Sequence, residues 1–416
     1  MGSATFVVVG ANLAGGAAAT TLRGAGFDGR LVLIGAEPHP PYERPPLSKD
    51  YLRGETKLDD AYLRPPEWYG ENDVELVLGE TAERVDPADR VVELSGGQRV
   101  PFDRLLLATG GRNRRLDVPG RDLDGVLGLR TVEDADRIRG AAAAGSKAVV
   151  VGAGFIGSEV TASLRQMGLA VDVVEFFETP LFRAIGPQMG RVLEEIHRDH
   201  GVRFHLGEGV ERFEGDGRVE RVVTDHGTAI ECDFAVVGVG IEPVADLAAA
   251  AGLRVDDGVV VDEFCRTSAD GIYAAGDVAN HAHAVFGRHL RVEHWDNALK
   301  QGAAAARNML AGPDQGTPFD DPHWFWSDQY DTNLQYAGFA AEWDQIVVRG
   351  DLPGRAFSAF YVRDGVVRAV FGVNRGKDVR RSMGLIRAGR PVDPDRLRDE
   401  EVDLRKLAAD VPGGDR

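Results

Sequence analysis

Cysteine is scarce in this chain, and its scarcity excludes two kinds of chemistry. Among 416 residues only Cys232 and Cys265 are cysteines, and no C-x-x-C motif occurs. A disulfide framework is therefore not expected, and a reducing compartment is the simplest interpretation. Dithiol–disulfide exchange, which needs two neighbouring cysteines, is excluded as well.

Long apolar runs are missing too. No stretch of about 18 apolar residues is present, so the sequence predicts no membrane-spanning helix. No signal peptide precedes the first apolar run, which starts near Thr5. Together these absences predict a cytoplasmic protein that does not associate with membranes.

Basic residues are outnumbered, with 48 Lys and Arg against 66 Asp and Glu, and the net charge is −18. Such a molecule repels nucleic acid and anionic membranes at long range, so neither is an expected partner. The composition is otherwise that of a globular protein, 43% hydrophobic and 27% charged. At roughly 100–200 residues per domain, the length predicts two or three domains.

Glycine is abundant, with 52 residues, and it concentrates in short turns after apolar runs. The β-branched segment Thr5–Val9 runs into Gly10, and the Ala-rich segment Ala14–Arg23 and the apolar segment Leu31–Ile34 follow. This order predicts strand, turn, helix and strand. The same order recurs over residues 148–174, which indicates two copies of one nucleotide-binding architecture.

Three further apolar strands end in small residues, where open α/β sheets bind ligands. They are Leu105–Leu107 before Thr109 and Gly110, Ala235–Val237 before Gly240, and Ile272–Ala275 before Gly276 and Asp277. From about Pro318 aromatic residues cluster, and apolar residues alternate over Ala356–Val362 and Val366–Val373. The sequence thus predicts an α/β fold with two Rossmann-like dinucleotide-binding domains and a C-terminal α+β domain. The predicted domains are 1–112 with 241–318, 113–240, and 319–416.

The second glycine turn is the stronger fingerprint. Residues 152–157 read G-A-G-F-I-G, a complete G-x-G-x-x-G between a strand and a helix. Gly152 permits the tight turn, Gly154 lets the backbone approach a pyrophosphate, and Gly157 lets helix and strand pack closely. Glu175, at the end of the next strand, suits a ribose 2′-hydroxyl and would repel a 2′-phosphate, so NAD(H) is expected rather than NADP(H).

The first turn departs from the pattern. G-A-N-L-A-G at residues 10–15 keeps Gly10 and Gly15 but has Asn12 where the second glycine is usual. Asparagine tolerates a left-handed backbone better than most residues, although it carries a side chain. Glu37, beyond the second strand, supports nucleotide binding here; the alternative is a plain βα turn.

Several segments, in order, resemble one group of flavoproteins. The most specific are PYERPPLSKDYL at Pro41–Leu52 and WFWSDQYD at Trp324–Asp331, accompanied by VVGVGIEP, GIYAAGDVA and RVEHWDNALKQG. Over essentially its whole length the chain is similar to the NAD(H)-dependent ferredoxin reductases of bacterial oxygenase systems, relatives of putidaredoxin and rubredoxin reductases and of apoptosis-inducing factor. The resemblance implies a glutathione-reductase-like fold that binds FAD in residues 1–112 and 241–318 and NAD(H) in residues 113–240.

The resemblance also implies roles for single residues. Lys49 and Glu159 would approach each other beside the flavin, where the nicotinamide stacks, and form the catalytic pair. Asp277 would hold the ribityl chain, and Arg183 would reach the NADH phosphates. The implied cofactor-binding set is Gly10, Asn12, Gly15, Glu37 on the adenosine ribose, Arg44 and Pro45 lining the flavin, Lys49, Thr109, Gly110, Gly152, Gly154, Gly157, Glu175, Arg183, Gly240, Gly276, Asp277, and Trp295 and Trp326 near the isoalloxazine.

The implied activity is transfer of a hydride from NADH to FAD and release of single electrons to a small acidic iron–sulfur ferredoxin that serves a cytochrome P450 or Rieske oxygenase. Alternatives are a reductase of rubredoxin or of a quinone or monodehydroascorbate, and a signalling flavoprotein like apoptosis-inducing factor. The chain is expected to be a monomer or weak homodimer without a metal site. For docking, the sequence offers a basic segment from Arg375 to Arg398 and a thinner group, Arg288, Arg291, Lys300 and Arg307.

Overall fold

The computed structural model describes residues 4–312 and 315–409, and three five-stranded sheets organise this part of the chain. Two of these sheets are parallel, and the third is antiparallel. The predicted α/β class with a C-terminal α+β unit is therefore confirmed. Within the described ranges, no helix is long and apolar enough to cross a membrane.

The first βαβ unit has the predicted order, with bounds one residue or so longer. It starts a segment that also includes two 3₁₀ turns, Pro45–Ser48 and Leu58–Ala61. The elements up to residue 113 are β1 (Thr5–Val9), α1 (Leu13–Gly24), β2 (Arg30–Gly35), α2 (Pro66–Glu71), β3 (Val74–Leu78), β4 (Ala82–Asp86), β5 (Val91–Leu94), β6 (Arg99–Pro101), β7 (Arg104–Leu107) and β8 (Gly111–Asn113).

The second unit repeats the plan around the second glycine turn. Its parallel sheet has the strand order β12–β11–β10–β16–β9, with the glycine turn after the central strand β10. Its elements are β9 (Val126–Gly128), α3 (Val132–Ala144), β10 (Lys147–Val151), α4 (Phe155–Gln166), β11 (Ala170–Glu175), α5 (Phe182–Asp199), β12 (Arg203–Leu206), β13 (Val210–Glu214), β14 (Arg221–Thr224), β15 (Ala229–Glu231), β16 (Phe234–Val237) and β17 (Ile241–Pro243).

The chain then returns to the first sheet. Strand β17 pairs with β8 in a two-stranded connection between the parallel sheets, and β19 completes the order β19–β7–β1–β2–β3. The predicted limits 112/113 and 240/241 fall in or beside this connection. The returning elements are α6 (Asp246–Ala250), β18 (Val259–Val261), β19 (Ile272–Ala274), β20 (Ala279–His283), β21 (Arg288–Arg291) and α7 (Trp295–Ala311).

Helix α7 lies tightly against α1, and small residues make this approach possible. A Cβ at Gly302 would lie 2.2 Å from the backbone oxygen of Ala14. Ala304, Ala305 and Ala306 are buried along the same helix. The alanine-rich stretch is therefore close helix packing, which holds the middle of α7 against the first turn of α1.

The third sheet is antiparallel, with the order β22–β23–β26–β25–β24, and helices cover one side of it. Its first strand packs its inward side chains on α4 and α5 of the second unit, as Phe325 does on Phe155. The elements are β22 (Trp324–Gln329), β23 (Thr332–Gly338), β24 (Gln345–Asp351), β25 (Ala356–Arg363), β26 (Val366–Val373), α8 (Gly376–Ala388), α9 (Pro394–Arg398) and α10 (Leu404–Ala409). Residues 410–416 of the predicted third domain lie outside the described residues.

Four histidines pack together where the start of α7 meets the third sheet. Ring centroids are 5.6 Å apart for His281 and His283, 4.8 Å for His283 and His323, and 6.4 Å for His294 and His323. Burial lowers the pKa of His281, which is 2% exposed, to about 4, so its ring is neutral at neutral pH. The described residues contain no group of three or more His, Cys, Asp or Glu side chains placed to hold a metal ion.

Acidification is expected to destabilise the fold through His281. Because its folded-state pKa lies below the ordinary 6.5, the unfolded chain takes up the proton first, and stability present above pH 6.5 is lost towards pH 4. The loss from this residue is about 2 kcal/mol at pH 5. Denaturant titrations at pH 7 and pH 5 should show a smaller pH dependence in His281→Leu, and an unchanged one in His226→Leu at an exposed position. Equal pH dependence in wild type and His281→Leu would contradict this.

Candidate functional site

The first glycine turn has no room for side chains at its outer positions. Gly10 has φ +117°, and a Cβ there would lie 2.0 Å from the carbonyl oxygen of Ala108. A Cβ at Gly15 would lie 1.9 Å from the backbone oxygen of Gly10. Helix α1 therefore starts directly at the carboxyl end of β1, which is the arrangement that presents a helix N-terminus to a phosphate.

Asn12 is not in a left-handed conformation, so backbone tolerance is not what places asparagine here. Its φ and ψ are −107° and −167°, and it is the N-cap of α1. Its Oδ1 accepts a hydrogen bond from the Gly15 N–H at 3.4 Å, and its Nδ2 donates to the Ala108 oxygen at 2.5 Å. The asparagine thus caps the helix and ties it to the end of β7, two tasks that a glycine could not perform.

Beyond β2, Glu37 is held by two neighbours. Arg44 Nη2 lies 2.6 Å from Glu37 Oε1, and the Tyr42 hydroxyl lies 2.5 Å from Oε2. Arg44 also donates to the backbone oxygen of Arg130. Each carboxylate oxygen keeps a second lone pair, so the predicted contact with the adenosine ribose remains a prediction that this geometry accommodates.

Asp277, directly after Gly276, forms an ion pair that the sequence did not suggest. Its Oδ2 lies 2.8 Å from Arg130 Nη2, and Arg130 Nε is buried with no hydrogen-bond partner among the described residues. A guanidinium with an unpaired donor at the edge of the first sheet fits an anionic group such as a pyrophosphate. Arg130 was missed; the available signal was its place directly before Thr131, which caps α3.

Thr109 and Gly276 follow strands of the first sheet, and both form hydrogen bonds with neighbouring elements. Thr109 and Gly110 follow β7, and Thr109 Oγ1 donates to the backbone oxygen of Val244 at 2.6 Å. The Gly276 N–H donates to Gln301 Oε1 of α7 at 2.9 Å. These contacts hold the end of β7 against the segment before α6 and the end of β19 against α7. A Cβ at Gly110 would lie 3.3 Å from Asn12 Nδ2 and one at Gly276 would lie 2.9 Å from Ala14 Cβ, so the structure brings these residues to the first turn.

The second turn is equally tight at its ends but open in its middle. A Cβ at Gly152 would lie 2.5 Å from the Gly238 oxygen, and one at Gly157 would lie 1.9 Å from the Gly152 oxygen. At Gly154 no atom lies within 4 Å of the Cβ position, and this residue caps α4 without a side chain. Gly240, with φ +95°, joins β16 to β17 nearby. Open space at a helix N-terminus that has no side-chain cap fits a pyrophosphate.

Glu175 ends β11 beside this turn and is bound to it. Its Oε2 accepts from the Ala153 N–H at 2.6 Å, and its Oε1 accepts from the Phe177 N–H at 2.9 Å. Phe176, which lies between Glu175 and Phe177 in the chain, is 69% exposed. On α5, the Arg183 guanidinium lies 4.8 Å from the centre of the Phe177 ring. Glu175 and Arg183 therefore place one negative and one positive charge near the second glycine turn.

Lys49 and Glu159 form the expected ion pair, and it is buried. Lys49 Nζ lies 2.6 Å from Glu159 Oε2, with side-chain exposures of 11% and 5%. Ser48 Oγ donates to the same oxygen at 2.5 Å, Ser327 Oγ donates to Oε1 at 2.7 Å, and Lys49 also donates to the Pro45 oxygen at 3.3 Å. The serines were missed, because they reach Glu159 from distant parts of the chain.

Trp295 and Trp326 meet at the boundary between the first unit and the third sheet. Their ring centroids are 5.2 Å apart in an edge-to-face arrangement, and Trp324 stacks on Trp326 at 5.4 Å. The Trp295 Nε1 donor is buried and has no partner in the described structure. An unpaired indole N–H beside a packed tryptophan pair fits a polar aromatic ligand.

Two family profiles cover most of the chain. The one described as pyridine nucleotide-disulphide oxidoreductase matches residues 4–302, and the one described as reductase C-terminal matches residues 324–408. The chain belongs to this oxidoreductase family. FAD and NAD(H), the predicted cofactors, are those that the family and the relatives imply.

The relatives match over nearly their full length. The ferredoxin reductase subunit of a 5,5′-dehydrodivanillate O-demethylase from a Sphingobium species is 40% identical, over 97% of this chain and 98% of that protein. The structure of a ferredoxin reductase for the CYP199A2 system from Rhodopseudomonas palustris has a TM-score of 0.93 at 38% identity and covers 97% of this chain and 99% of that one. The covalent putidaredoxin reductase–putidaredoxin complex has a TM-score of 0.93 at 36% identity, covering 98% and 99%.

Lys49→Ala is expected to slow flavin reduction by NADH on the order of tenfold and to shift the flavin absorbance spectrum. Removal of the lysine leaves the Glu159 carboxylate buried without its cation, an arrangement that is strongly destabilised. Stopped-flow absorbance under anaerobic conditions measures the rate. Lys57→Ala, at an exposed lysine in the same segment, is the matched control. Wild-type rates in Lys49→Ala would show that the pair has no part in the reaction.

Proposed function

We propose that this chain oxidises NADH and passes the electrons, one at a time, to a small iron–sulfur ferredoxin. Bound FAD would supply the conversion between a hydride donor and a one-electron acceptor. The observation that carries the proposal is a buried ion pair, Lys49–Glu159, that joins the first nucleotide-binding unit to the helix of the second glycine turn. The full-length similarity to ferredoxin reductases supports a protein acceptor.

The family name suggests that electrons could leave through a dithiol–disulfide pair, and the two cysteines exclude this route. Cys232 and Cys265 are both free and buried, and they lie in separate hydrophobic cores. Burial raises the pKa of Cys232 to about 12, so its thiol is not a nucleophile at neutral pH. Electrons that enter as a hydride therefore leave through the flavin edge and not through a dithiol.

The proposed coenzyme is NADH rather than NADPH. Glu175 presents a carboxylate at the end of β11, where the adenosine ribose would lie, and a 2′-phosphate would meet this negative charge. Arg183 is the nearby cation, but it lies over the Phe177 ring. The carboxylate rather than the guanidinium thus sets the preference.

Glu175→Gln is expected to lower the KM for NADPH about tenfold and to leave kcat with NADH within a few-fold, because the amide keeps an acceptor but loses the charge. Steady-state rates with both coenzymes and ferricyanide measure the ratio. Glu178→Gln, at an exposed acid three residues further along the chain, is the control. A wild-type preference for NADPH would contradict the assigned role of Glu175.

The proposed docking surface for an acidic ferredoxin is the first turn of α8. Lys377, Arg380 and Arg381 are exposed and line a cavity of about 550 Å³ together with Gln335. Arg380 Nη1 donates to Gln335 Oε1 at 3.0 Å, and Trp324 Nε1 donates to the same oxygen at 3.2 Å. Gln335 therefore links the surface to Trp324, which stacks on Trp326.

The two basic groups differ in which of their side chains already form ion pairs within the structure. In the first, Arg375 is paired with Asp378 and Glu400, while Lys377 and Arg381 make no ion pair among the described residues. In the second group, Lys300 is paired with two aspartates and Arg291 with an aspartate and a glutamate. Charge that is already neutralised attracts a partner only weakly. Only Arg288 and Arg307 of the second group make no ion pair among the described residues, whereas Lys377, Arg380 and Arg381 are unpaired neighbours on one helix, so the α8 surface is the stronger candidate.

Arg380→Glu/Arg381→Glu is expected to raise the KM for ferredoxin on the order of tenfold and to leave NADH-driven ferricyanide reduction unchanged. The defect should shrink as salt rises, because exposed charges act mainly on association. Arg191→Glu/Arg254→Glu makes the same charge change at exposed positions on other elements and should have no such effect. Equal loss with both acceptors would place the damage at the flavin site or in the fold. No loss with either would place the docking face elsewhere, with the Arg288–Arg307 group as the next candidate.

A further inference from the structure

A row of buried polar side chains leads from Glu159 into the third sheet. Ser327 Oγ lies 2.7 Å from Glu159 Oε1, and Gln329 Nε2 lies 3.0 Å from Ser327 Oγ. Ser327 and Gln329 are two residues apart on β22, so they face the same side of the sheet, and both are at most 1% exposed. Both groups are removed from bulk solvent, so an unmade hydrogen bond in the row is costly.

The row continues to a histidine on α5. His197 is 1% exposed, and its Nδ1 lies 2.9 Å from the Tyr330 hydroxyl. Its ring lies beside the Gln329 amide. His197 Nε2 and Gln329 Oε1 are both buried, and neither meets hydrogen-bond geometry in the described structure. The two atoms that lack partners are thus one nitrogen and one oxygen of adjacent side chains.

The ionised carboxylate sets the direction of every bond in this row. Glu159 can only accept, so Ser327 donates to it and must accept from the Gln329 amide nitrogen. This turns Gln329 Oε1 away from Ser327 and leaves it in need of a donor. Burial lowers the pKa of His197 to about 4, so the ring is neutral and carries one proton. A proton on Nε2 would offer the amide oxygen of the adjacent side chain a donor after a small adjustment, and it would leave Nδ1 to accept from Tyr330.

Tyr330 is held at the far end of the row in an unfavourable backbone conformation. Its φ is +56°, a left-handed conformation that is uncommon for an aromatic residue. Its ring stacks on His200 with centroids 3.6 Å apart. The strained turn therefore places the hydroxyl on His197, which is consistent with a row that is fixed at both ends.

We propose that Ser327, Gln329 and His197 form a one-directional chain of hydrogen bonds that holds the Glu159 carboxylate, and that His197 in its Nε2–H form is a positioning residue for the NADH half-reaction. The kinetic part of this proposal rests on the proposed function, but the tautomer does not. The two observed donors, Gln329 Nε2 and Ser327 Oγ, both point towards Glu159, so a donor at His197 would act on the Lys49–Glu159 pair without contact between them.

The tautomer is tested by nitrogen NMR on the FAD-loaded protein with labelled histidine. The chain has 10 histidines, and the His197 signals are those that disappear in His197→Gln. At neutral pH we expect a pyrrole-like Nε2 and a pyridine-like Nδ1. The opposite tautomer, or a ring protonated on both nitrogens, would overturn the chain whatever the protein's activity is.

Two substitutions of His197 separate positioning from packing. Both remove the ring, but His197→Gln can keep a donor near the Nε2 position, whereas His197→Asn keeps polar atoms only near Nδ1. Stopped-flow reduction by NADH should slow on the order of tenfold in His197→Asn and in Gln329→Leu, and much less in His197→Gln. Reoxidation by ferricyanide should not change, and Gln345→Leu, at an exposed glutamine of the same sheet, is the control. Equal slowing in both His197 variants would reduce the residue to a packing role.

A wild-type protein that showed the predicted tautomer but did not reduce ferredoxin with NADH would sink the proposed function and leave the chain of hydrogen bonds intact. Conversely, full NADH–ferredoxin activity with the Nδ1–H tautomer would sink the chain alone. The two proposals therefore fail by different measurements.

Discussion

The carboxylate of Glu159 is the point on which the three parts of the molecule depend. It lies on α4 of the second unit, receives Lys49 and Ser48 from the first unit, and receives Ser327 from the third sheet. A carboxylate removed from water to this degree costs several kcal/mol unless its partners are all in place. The pair is therefore stable only when the two nucleotide-binding units and the C-terminal sheet are assembled, which couples the geometry of the site to the packing of the domains.

Local chemistry explains why so much of the fold could be read from the sequence. Buried parallel strands are continuous apolar runs, and the turn after each central strand tolerates only glycine at positions such as Gly10 and Gly152, so both βαβ units were predicted to within a few residues. Asn12 shows the limit of this reasoning. Its residue type indicated backbone conformation, but the structure uses its side chain, because the amide can cap α1 and also bind the Ala108 carbonyl oxygen.

Contacts between distant segments account for the functional residues that were missed. Arg130 pairs with Asp277 across 147 residues, and Ser327 reaches Glu159 across 168. Ser327 lies within the distinctive segment Trp324–Asp331, but the sequence does not show which distant residue it contacts, and the same holds for Arg130. Their contacts appear only when the sheets place them against their partners. The ion pair of Lys49 and Glu159 was foreseen through resemblance to a family, not through spacing, which supports the same conclusion.

Charge illustrates why composition and site electrostatics differ. The segment from Arg375 to Arg398 carries an excess of basic residues, yet the fold pairs Arg375 with Asp378 and Glu400 and pairs Arg387 with Asp321. What remains exposed and unneutralised is a smaller group at the start of α8. Since charges beyond about 8 Å are screened at physiological salt, that group, and not the net charge of −18, sets the local charge of the proposed docking surface. An acidic protein can therefore present a local basic surface where its fold leaves neighbouring cations without internal partners.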